Sequence, residues 1–544
     1  MFDPDVLLPT LIDNIAASDP DRLFCAYAKS AAEADVLIEI KFKAFANAVN
    51  ACAWWLQATL EESKGGFETV AYLGPPDVQH AVLTLAAAKV ERKALLLSPR
   101  NSIAAQMRLF EATDCKTVIL AQGFPLPEPF SAALAERGAK ILQIKPQTFW
   151  LGHEHVPVFE FNASLSDNPG RPFVAFHTSG STGFPKPITY TYSALKAYIA
   201  QGDPSIILPG CPPTQTEIFK NTCQYVPFPS FHMVGLMCMT AIGIYWSSPA
   251  ILGPSLSIPT AEIAAKIIRN PLCKGATLPP NLLVDIVESE DARSALSTLK
   301  YVNWLGGPLP PHALQIIKPL VKIYSSFGAT EFGNIPLNLG PQDDAGYWSF
   351  SQLAGATFKP YKGSKSDAAG EPLFELVLKR QPSVVEAQLI FLNEPELQQY
   401  ETKDLFSVHP QKPHLWCYRG RTDDMINTAY GNLIDPTLQE NIVRADPRVL
   451  SALLVGTDRR GTAWLIEPRV QVGSEEDKAA LKEQLWDAIE RANELVPEYA
   501  RVPKERVLFT TPDKPMSRAS KGTVQRNASI AAYKEELDQI YQQA

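Results

Sequence analysis

The sequence is poor in patterned cysteine, in basic charge, in long apolar runs and in repeats. Its eight cysteines (Cys25, Cys52, Cys115, Cys211, Cys223, Cys238, Cys273 and Cys417) are scattered. No CxxC pair occurs, and no Cys/His group has zinc-ligand spacing. They read as buried free thiols in a reducing compartment. Lysine and arginine number 50 against 58 aspartates and glutamates, a net charge of −8. That excludes the basic footprint of a nucleic-acid binder. A small anionic substrate must then be met by local positive charge, not by a global field. The apolar run Leu236 to Trp246 is far short of the ~20 residues of a spanning helix. The opening stretch MFDPDVLLPTLIDNIAASDPD has no basic start and no long apolar core, so no secretory signal is expected. These absences describe a cytoplasmic protein without nucleic-acid or membrane partners.

What is present is an ordinary globular composition, 46% apolar and 20% charged, over 544 residues. That length is too great for one core and predicts at least two domains. In the first part, short β-type runs at Val70–Leu73, Lys93–Leu97 and Thr117–Leu120 alternate with helical patterns. One helix follows Asp77 to Ala88, and another spans Ser102 to Ala112. This alternation predicts a parallel sheet covered by helices. The middle is broken by prolines, with a helix predicted from a Thr260 cap to Arg269. Residues 372–379 and 386–392 read as strands. From about residue 424 the character changes. A hairpin is predicted from Leu450–Val455 and Thr462–Ile466, and Ser474 opens an amphipathic helix with Leu481, Leu485, Ile489, Ala492 and Val496 on one stripe. The polar tail YKEELDQIYQQA suits a last helix. The fold expectation is therefore α/β: a large N-terminal domain of helix-covered sheets, residues 1–422, and a small α+β C-terminal domain, residues 423–544.

The most informative segment is HTSGSTGFPKP, residues 177–187, directly after the β-type run Phe173–Phe176. Glycines let the backbone approach a ligand closely, and successive N–H groups in such a turn form a concave anion site. The hydroxyls of Thr178, Ser179, Ser181 and Thr182 add donors, and Lys186 adds a charge. The spacing Gly180–Gly183–Lys186 excludes a Walker-type P-loop. Glycines alone would suit a flexible surface loop. The hydroxyls and lysine directly after a strand favour a polyphosphate site. Further along, Phe327 of FGATE can stack on a purine, Thr330 can donate to a phosphate oxygen and Glu331 can hold Mg²⁺. Asp404 has the chemistry to accept both hydroxyls of a ribose.

TSGSTGxPK resembles the phosphate-loop signature of the adenylate-forming superfamily, which includes acyl- and aryl-CoA ligases, luciferases and the adenylation domains of nonribosomal peptide synthetases. With His177 and Pro187-Ile188 included, the segment is most similar to fungal synthetase-like carboxylate reductases. Five further motifs follow in the family's order. Ser326 and Phe327-Gly328-Ala329-Thr330-Glu331 match YGxTE, with Phe in place of Tyr. Thr402-Lys403-Asp404 stands where the family has TGD. Tyr418-Arg419-Gly420-Arg421-Thr422-Asp423-Asp424 resembles GRxDD. The resemblance implies that Tyr418 and Arg421 assist ribose binding and that Asp423 is the hinge for rotation of the small domain. Gly431-Asn432-Leu433 lacks the arginine that many relatives carry near the phosphate. Lys521 matches the lysine that bridges the acid's carboxylate and the α-phosphate, a point charge brought to developing negative charge. Pro229 to Gly235 resembles the substrate-pocket segment, in which Phe231 and His232 are expected to meet the acid. Amino-acid-activating relatives carry Asp where this chain has His232, so the acid is expected to lack a free α-amine, because an unpaired buried ammonium costs several kcal/mol. The segment Asn303-Trp304-Leu305-Gly306-Gly307-Pro308 is expected to line the adenine and acid pocket, since Gly306 and Gly307 allow close backbone approach. A flat, apolar, benzoate-like acid is the further expectation.

The implied reaction has two steps. A carboxylate attacks the α-phosphorus of MgATP and releases pyrophosphate, with charge held by the 178–186 loop, Thr330, Mg²⁺ on Glu331, and Lys521. A phosphopantetheine thiol on a carrier protein then takes the acyl group. A stand-alone acyl- or aryl-CoA ligase differs only in the acceptor, and a non-catalytic nucleotide-binding regulator is the alternative of another class. A monomer is expected.

Overall fold

A computed structural model describes residues 3–63, 65–179, 185–340, 342–361, 372–430, 433–470, 472–518 and 524–543. The chain divides into two compact units. The larger takes residues 1–178, 185–355 and 380–398, and the smaller takes 179–184, 356–379 and 399–544.

The larger unit is built on two sheets. One has six strands in the spatial order Lys140–Ile144, Thr117–Ala121, Thr69–Leu73, Lys93–Leu96, Pro172–Ser179, Pro185–Thr191. Its first five strands pair in parallel. The strand order reverses about Thr69–Leu73, and the loops leaving the carboxyl ends of such a sheet are where α/β proteins take ligands. The expected helices are present. Gln79–Lys89 is buried along its whole length, and Ile103–Ala112 is capped by Ser102, whose hydroxyl accepts from the Ala105 N–H. The second sheet runs Ile323–Ser325, Tyr301–Trp304, Gly275–Leu278, Gln224–Tyr225, Ala250–Leu252, Leu23–Ala28, Leu37–Lys41. Only its last strand is antiparallel. Thr260 caps helix Ala261–Arg269 against one face, where Ile263, Ile267 and Ile268 are buried.

One expected strand is not a strand. Residues 386–392 form a short 3₁₀ turn, Val385–Ala387, and a helix, Leu389–Asn393. The run Leu389-Ile390-Phe391 is apolar without a period, and so short a run does not distinguish strand from buried helix. Tertiary contacts decide it. Leu389 packs on Gly333. Asn393 closes the helix by accepting from the Thr191 N–H and donating to the Thr189 carbonyl.

The smaller unit has a four-stranded antiparallel sheet, Ala356–Pro360, Phe374–Lys379, Gln399–Val408 and Trp416–Arg421. A three-stranded sheet follows, in which the hairpin Val449–Val455/Ala463–Pro468 is joined in parallel by Val507–Phe509. Helix Glu475–Glu494, capped by Ser474, buries Leu481, Leu485, Ile489 and Ala492. Val496 lies just beyond its end and is still in that core. The tail is a helix, Lys534–Gln543, with Leu537 buried. Among the described residues, no helix is long and apolar enough to cross a membrane.

Candidate active site

Strand Pro172–Ser179 delivers Thr178 and Ser179 to the carboxyl edge of the six-stranded sheet, and its neighbour, Pro185–Thr191, carries an exposed Lys186. Gly180, Ser181, Thr182 and Gly183 lie outside the described residues. His177 is buried beneath this edge. The Ser98 N–H donates to its Nε2 at 3.2 Å, so the ring's proton sits on Nδ1. Burial pushes its pKa down to about 4, and it is neutral at pH 7. It therefore ties this strand to the loop that leaves Lys93–Leu96 and adds no charge.

Ser326 to Glu331 leave the carboxyl edge of the second sheet. Gly328–Ala329 and Gly333–Asn334 pair as a tight hairpin. A Cβ on Gly328 would lie 2.4 Å from the Gly333 carbonyl oxygen, so this turn admits only glycine. The hairpin holds Thr330, which is buried, and Glu331, which is half-buried, at its tip. Tyr190 donates its hydroxyl to the Thr330 carbonyl at 2.9 Å. That bond joins the tip to the strand carrying Lys186. Phe327 sits among Phe332, Trp348 and Phe350, with ring centroids 5.2–6.2 Å apart. Among the described residues, no group of three or more His, Cys, Asp or Glu could hold a metal ion. Glu331 is a single hard donor, which suits an ion that arrives with most of its ligands on a nucleotide.

Next to Phe327 lies a half-open pocket. Tyr198, Phe219, Trp246, Met233 and Met237 give it an apolar wall. Among the described residues that line it, none is charged. Its polar lining, besides Asn334, is Gln224, Thr277, Asn303 and Ser326, from four adjacent strand ends. His232 does not line it. It is half-buried and caps helix Met233–Met239, its Nδ1 accepting from the Val234 N–H, and its ring stacks on Phe228. Phe231 is buried behind the wall, against His80. Ser230 holds this segment in place, with its Oγ 3.0 Å from Nδ1 of His80. Full burial pushes the His80 pKa down to about 3, while burial pushes the nearby Asp77 up to about 7. Gly306 has φ +98°, and it leads the chain with Gly307 away from strand Tyr301–Trp304.

In the smaller unit, Asp404 and Arg421 are register partners on adjacent strands, with Nη1 to Oδ1 at 3.3 Å. Tyr418 lies on the same strand as Arg421 and meets Phe406 edge-on. Lys403 stands where the resemblance expects glycine, at an irregularity within strand Gln399–Val408, and it takes a left-handed φ of +64°. Its ammonium pairs with Asp423 at 3.1 Å. Lys521 lies outside the described residues. On one side of that segment Arg518 bonds Glu467 at 2.6 Å and Ser451 at 2.8 Å. On the other side Arg526 pairs with Glu440 and donates to the Leu454 carbonyl.

Residues 13–353 match the family described as AMP-binding enzyme, and residues 423–544 match the AMP-binding enzyme C-terminal domain. The chain belongs to the AMP-binding enzyme family. This AMP-binding enzyme is 30% identical over 99% of its length to a carboxylic acid reductase of Neurospora crassa, covering 51% of that protein. It is 28% identical over 93% of its length to adenylate-forming reductase Nps9 of Serpula lacrymans, covering 47%. The chain thus spans about half the length of the curated relatives it matches. Among solved structures it shares its fold with the O-succinylbenzoate coenzyme A synthetase of Bacillus subtilis in complex with AMP, at TM-score 0.67, 16% identity, and coverage of 96% of this chain and 98% of that one. An anthranilate CoA ligase in complex with anthranoyl-AMP gives TM-score 0.68 at 16% identity, covering 98% and 99%. The protein is an adenylate-forming enzyme.

Within this AMP-binding enzyme, the larger unit brings together Thr178, Lys186, Ser326, Phe327, Thr330 and Glu331 at strand ends, and the smaller unit pairs Asp404 with Arg421. Sequence reasoning placed Asn303 in the pocket-lining segment but missed Gln224 and Thr277. Their signal was a polar residue inside a short buried apolar strand.

Proposed function

We propose that this enzyme uses MgATP to activate a carboxylic acid without a free α-amine, and passes the acyl group to a phosphopantetheine thiol on a carrier protein. The observation that carries the reading is the uncharged pocket beside Phe327. An ammonium buried there would lose its hydration with no countercharge to replace it. Tyr198, Phe219 and Trp246 supply flat apolar walls that suit an aryl acid.

In this reading Phe327 stacks on the adenine, and Ser326, Gly306 and Gly307 border the nucleotide and acid. Asp404 accepts the ribose hydroxyls, with Tyr418 beside it and Arg421 holding its orientation. The segment Thr178 to Lys186, including Ser179, Gly180, Ser181, Thr182 and Gly183, cradles the phosphates through backbone N–H groups and hydroxyls. Thr330 donates to a phosphate oxygen, and Glu331 holds Mg²⁺, which neutralises phosphate charge. The acid's carboxylate oxygen attacks the α-phosphorus, the bond to the pyrophosphate oxygen breaks, and pyrophosphate leaves. Lys521 stabilises the charge that gathers on the carboxylate and α-phosphate. His232 fixes the start of the pocket helix, and with Phe231 it shapes the pocket without a charge. We place the large domain at 1–422 and a mobile small domain at 423–544, turning about Asp423. The thiol sulfur then attacks the acyl carbon and AMP leaves. Similarity along its whole length to a carboxylic acid reductase twice as long supports a carrier-bound acceptor over free CoA.

Hydroxylamine-trapped adenylation across aryl, fatty and amino acids tests the reading. Aryl and aliphatic acids should release pyrophosphate well above amino acids. A preference for amino acids would overturn it. Acyl transfer to a phosphopantetheinylated carrier domain, compared with free CoA, tests the acceptor.

A further inference from the structure

The polar residues of the pocket form one hydrogen-bonded chain, and its direction can be read. Ser248 Oγ donates to the Thr222 carbonyl at 2.8 Å, so its hydrogen is committed. It must therefore accept from Gln224, whose Nε2 lies 3.0 Å away. That fixes the amide, and Oε1 faces Thr277 Oγ1 at 2.6 Å and the Tyr301 hydroxyl at 3.2 Å. Both hydroxyls must donate into it. Thr277 Oγ1 can then only accept from Asn303 Nδ2, at 3.5 Å. So Asn303 Oδ1 faces Ser326, which donates its hydrogen at 3.1 Å.

The capacity left over is specific. Every hydroxyl hydrogen of the chain points inward. Gln224 Nε2 and Asn303 Nδ2 each keep a second N–H, and Asn303 Oδ1 and Ser326 Oγ each keep a lone pair. Gln224 and Asn303 are each 1% exposed, and both line the pocket. Buried donors without partners are expensive, so their partner is expected on the ligand. A group that accepts both N–H hydrogens and donates one hydrogen meets this set, and a hydroxyl, with two lone pairs and one hydrogen, does so without charge.

We propose that the acid carries an uncharged hydroxyl read by Asn303 and Gln224, with Ser248 fixing the direction of the Gln224 amide and Thr277 that of Asn303. This rests on the acid-activation reading and narrows its substrate to hydroxylated acids. A site built to bond a hydroxyl discriminates strongly against the analogue that lacks it.

The test is pyrophosphate release by the full chain with benzoate and its ortho-, meta- and para-hydroxy forms, and with cinnamate and its hydroxy forms. At least one hydroxy-acid should exceed its parent by ~30-fold or more in kcat/KM. Asn303→Leu should bring that ratio within ~3-fold, while Thr277→Ser, which keeps the hydroxyl, should retain it. If Asn303→Leu does not fold, the wild-type ratios decide alone. Parent acids used as well as every hydroxylated form would overturn the proposal and leave acid activation standing. No pyrophosphate release with any acid, aryl, fatty or amino, would overturn both.

Discussion

His80 offers a quantitative test of how the wall behind the pocket is held. It is fully buried, and its pKa lies at about 3 against an ordinary 6.5. The folded state thus refuses a proton that the unfolded state takes up between those values. Its contribution to stability is complete above pH ~6.5 and is lost as pH falls towards 3. Each pH unit inside that window is worth about 1.4 kcal/mol. Between pH 7 and pH 5, His80 alone should therefore remove about 2 kcal/mol. His80→Asn keeps an amide near Nδ1 for Ser230 and cannot titrate. Its lost ring contacts cost the same at every pH, so the gap between the two proteins isolates the imidazole. His177 has the same sign, Asp77 has the opposite sign, and both are present in both proteins. Urea unfolding followed by tryptophan fluorescence, at half-unit steps from pH 7.5 to 5, should show the gap shrinking by about 2 kcal/mol on the acid side. A gap constant across that range would mean that His80 is not held neutral, and the account of this wall would be wrong.

Lys521→Ala should slow adenylation by at least ~100-fold, about 2.7 kcal/mol of transition-state stabilisation, and unchanged pyrophosphate release would remove the residue from the mechanism. Gly328→Ala forces a methyl to 2.4 Å from the Gly333 carbonyl oxygen, and thermal unfolding should show a loss of about 2 kcal/mol or more. Lys403→Gly should leave stability within ~0.5 kcal/mol, because relief of the left-handed strain offsets lost chain stiffness and an exposed ion pair. Lys403→Val should cost about 1–2 kcal/mol at the same φ, measured by thermal shift.

Much of the scaffold was legible because its signals are local. Ser102, Thr260 and Ser474 announce helix starts with their own hydroxyls, and each accepts from an N–H in the first turn of its helix. Alternating short strands and helices implied a parallel sheet because only crossovers join parallel neighbours. Residues 386–392 failed because their conformation is imposed by Gly333 and Thr191, far away in sequence. Asn303 and Ser326 stand in recognisable motifs, but Gln224 and Thr277 were hidden for the same reason. Gln224, Thr277, Asn303 and Ser326 are tens of residues apart, and only strand order makes them neighbours. At position 403, where the expected motif has glycine, lysine itself takes a left-handed backbone conformation, which the sequence does not announce.

The lack of charge in the pocket also bears on fidelity. Amino acids are abundant carboxylates in any cell, and each carries an ammonium. A chain that admitted them would need a second site to hydrolyse the wrong adenylate, as enzymes do when binding differences are small. In the proposed reading, rejection costs no extra machinery. The ammonium must shed its water and finds no anion among the lining residues, a difference of several kcal/mol that acts before any chemistry begins. In that reading, selection against these competitors acts at entry, before an adenylate forms.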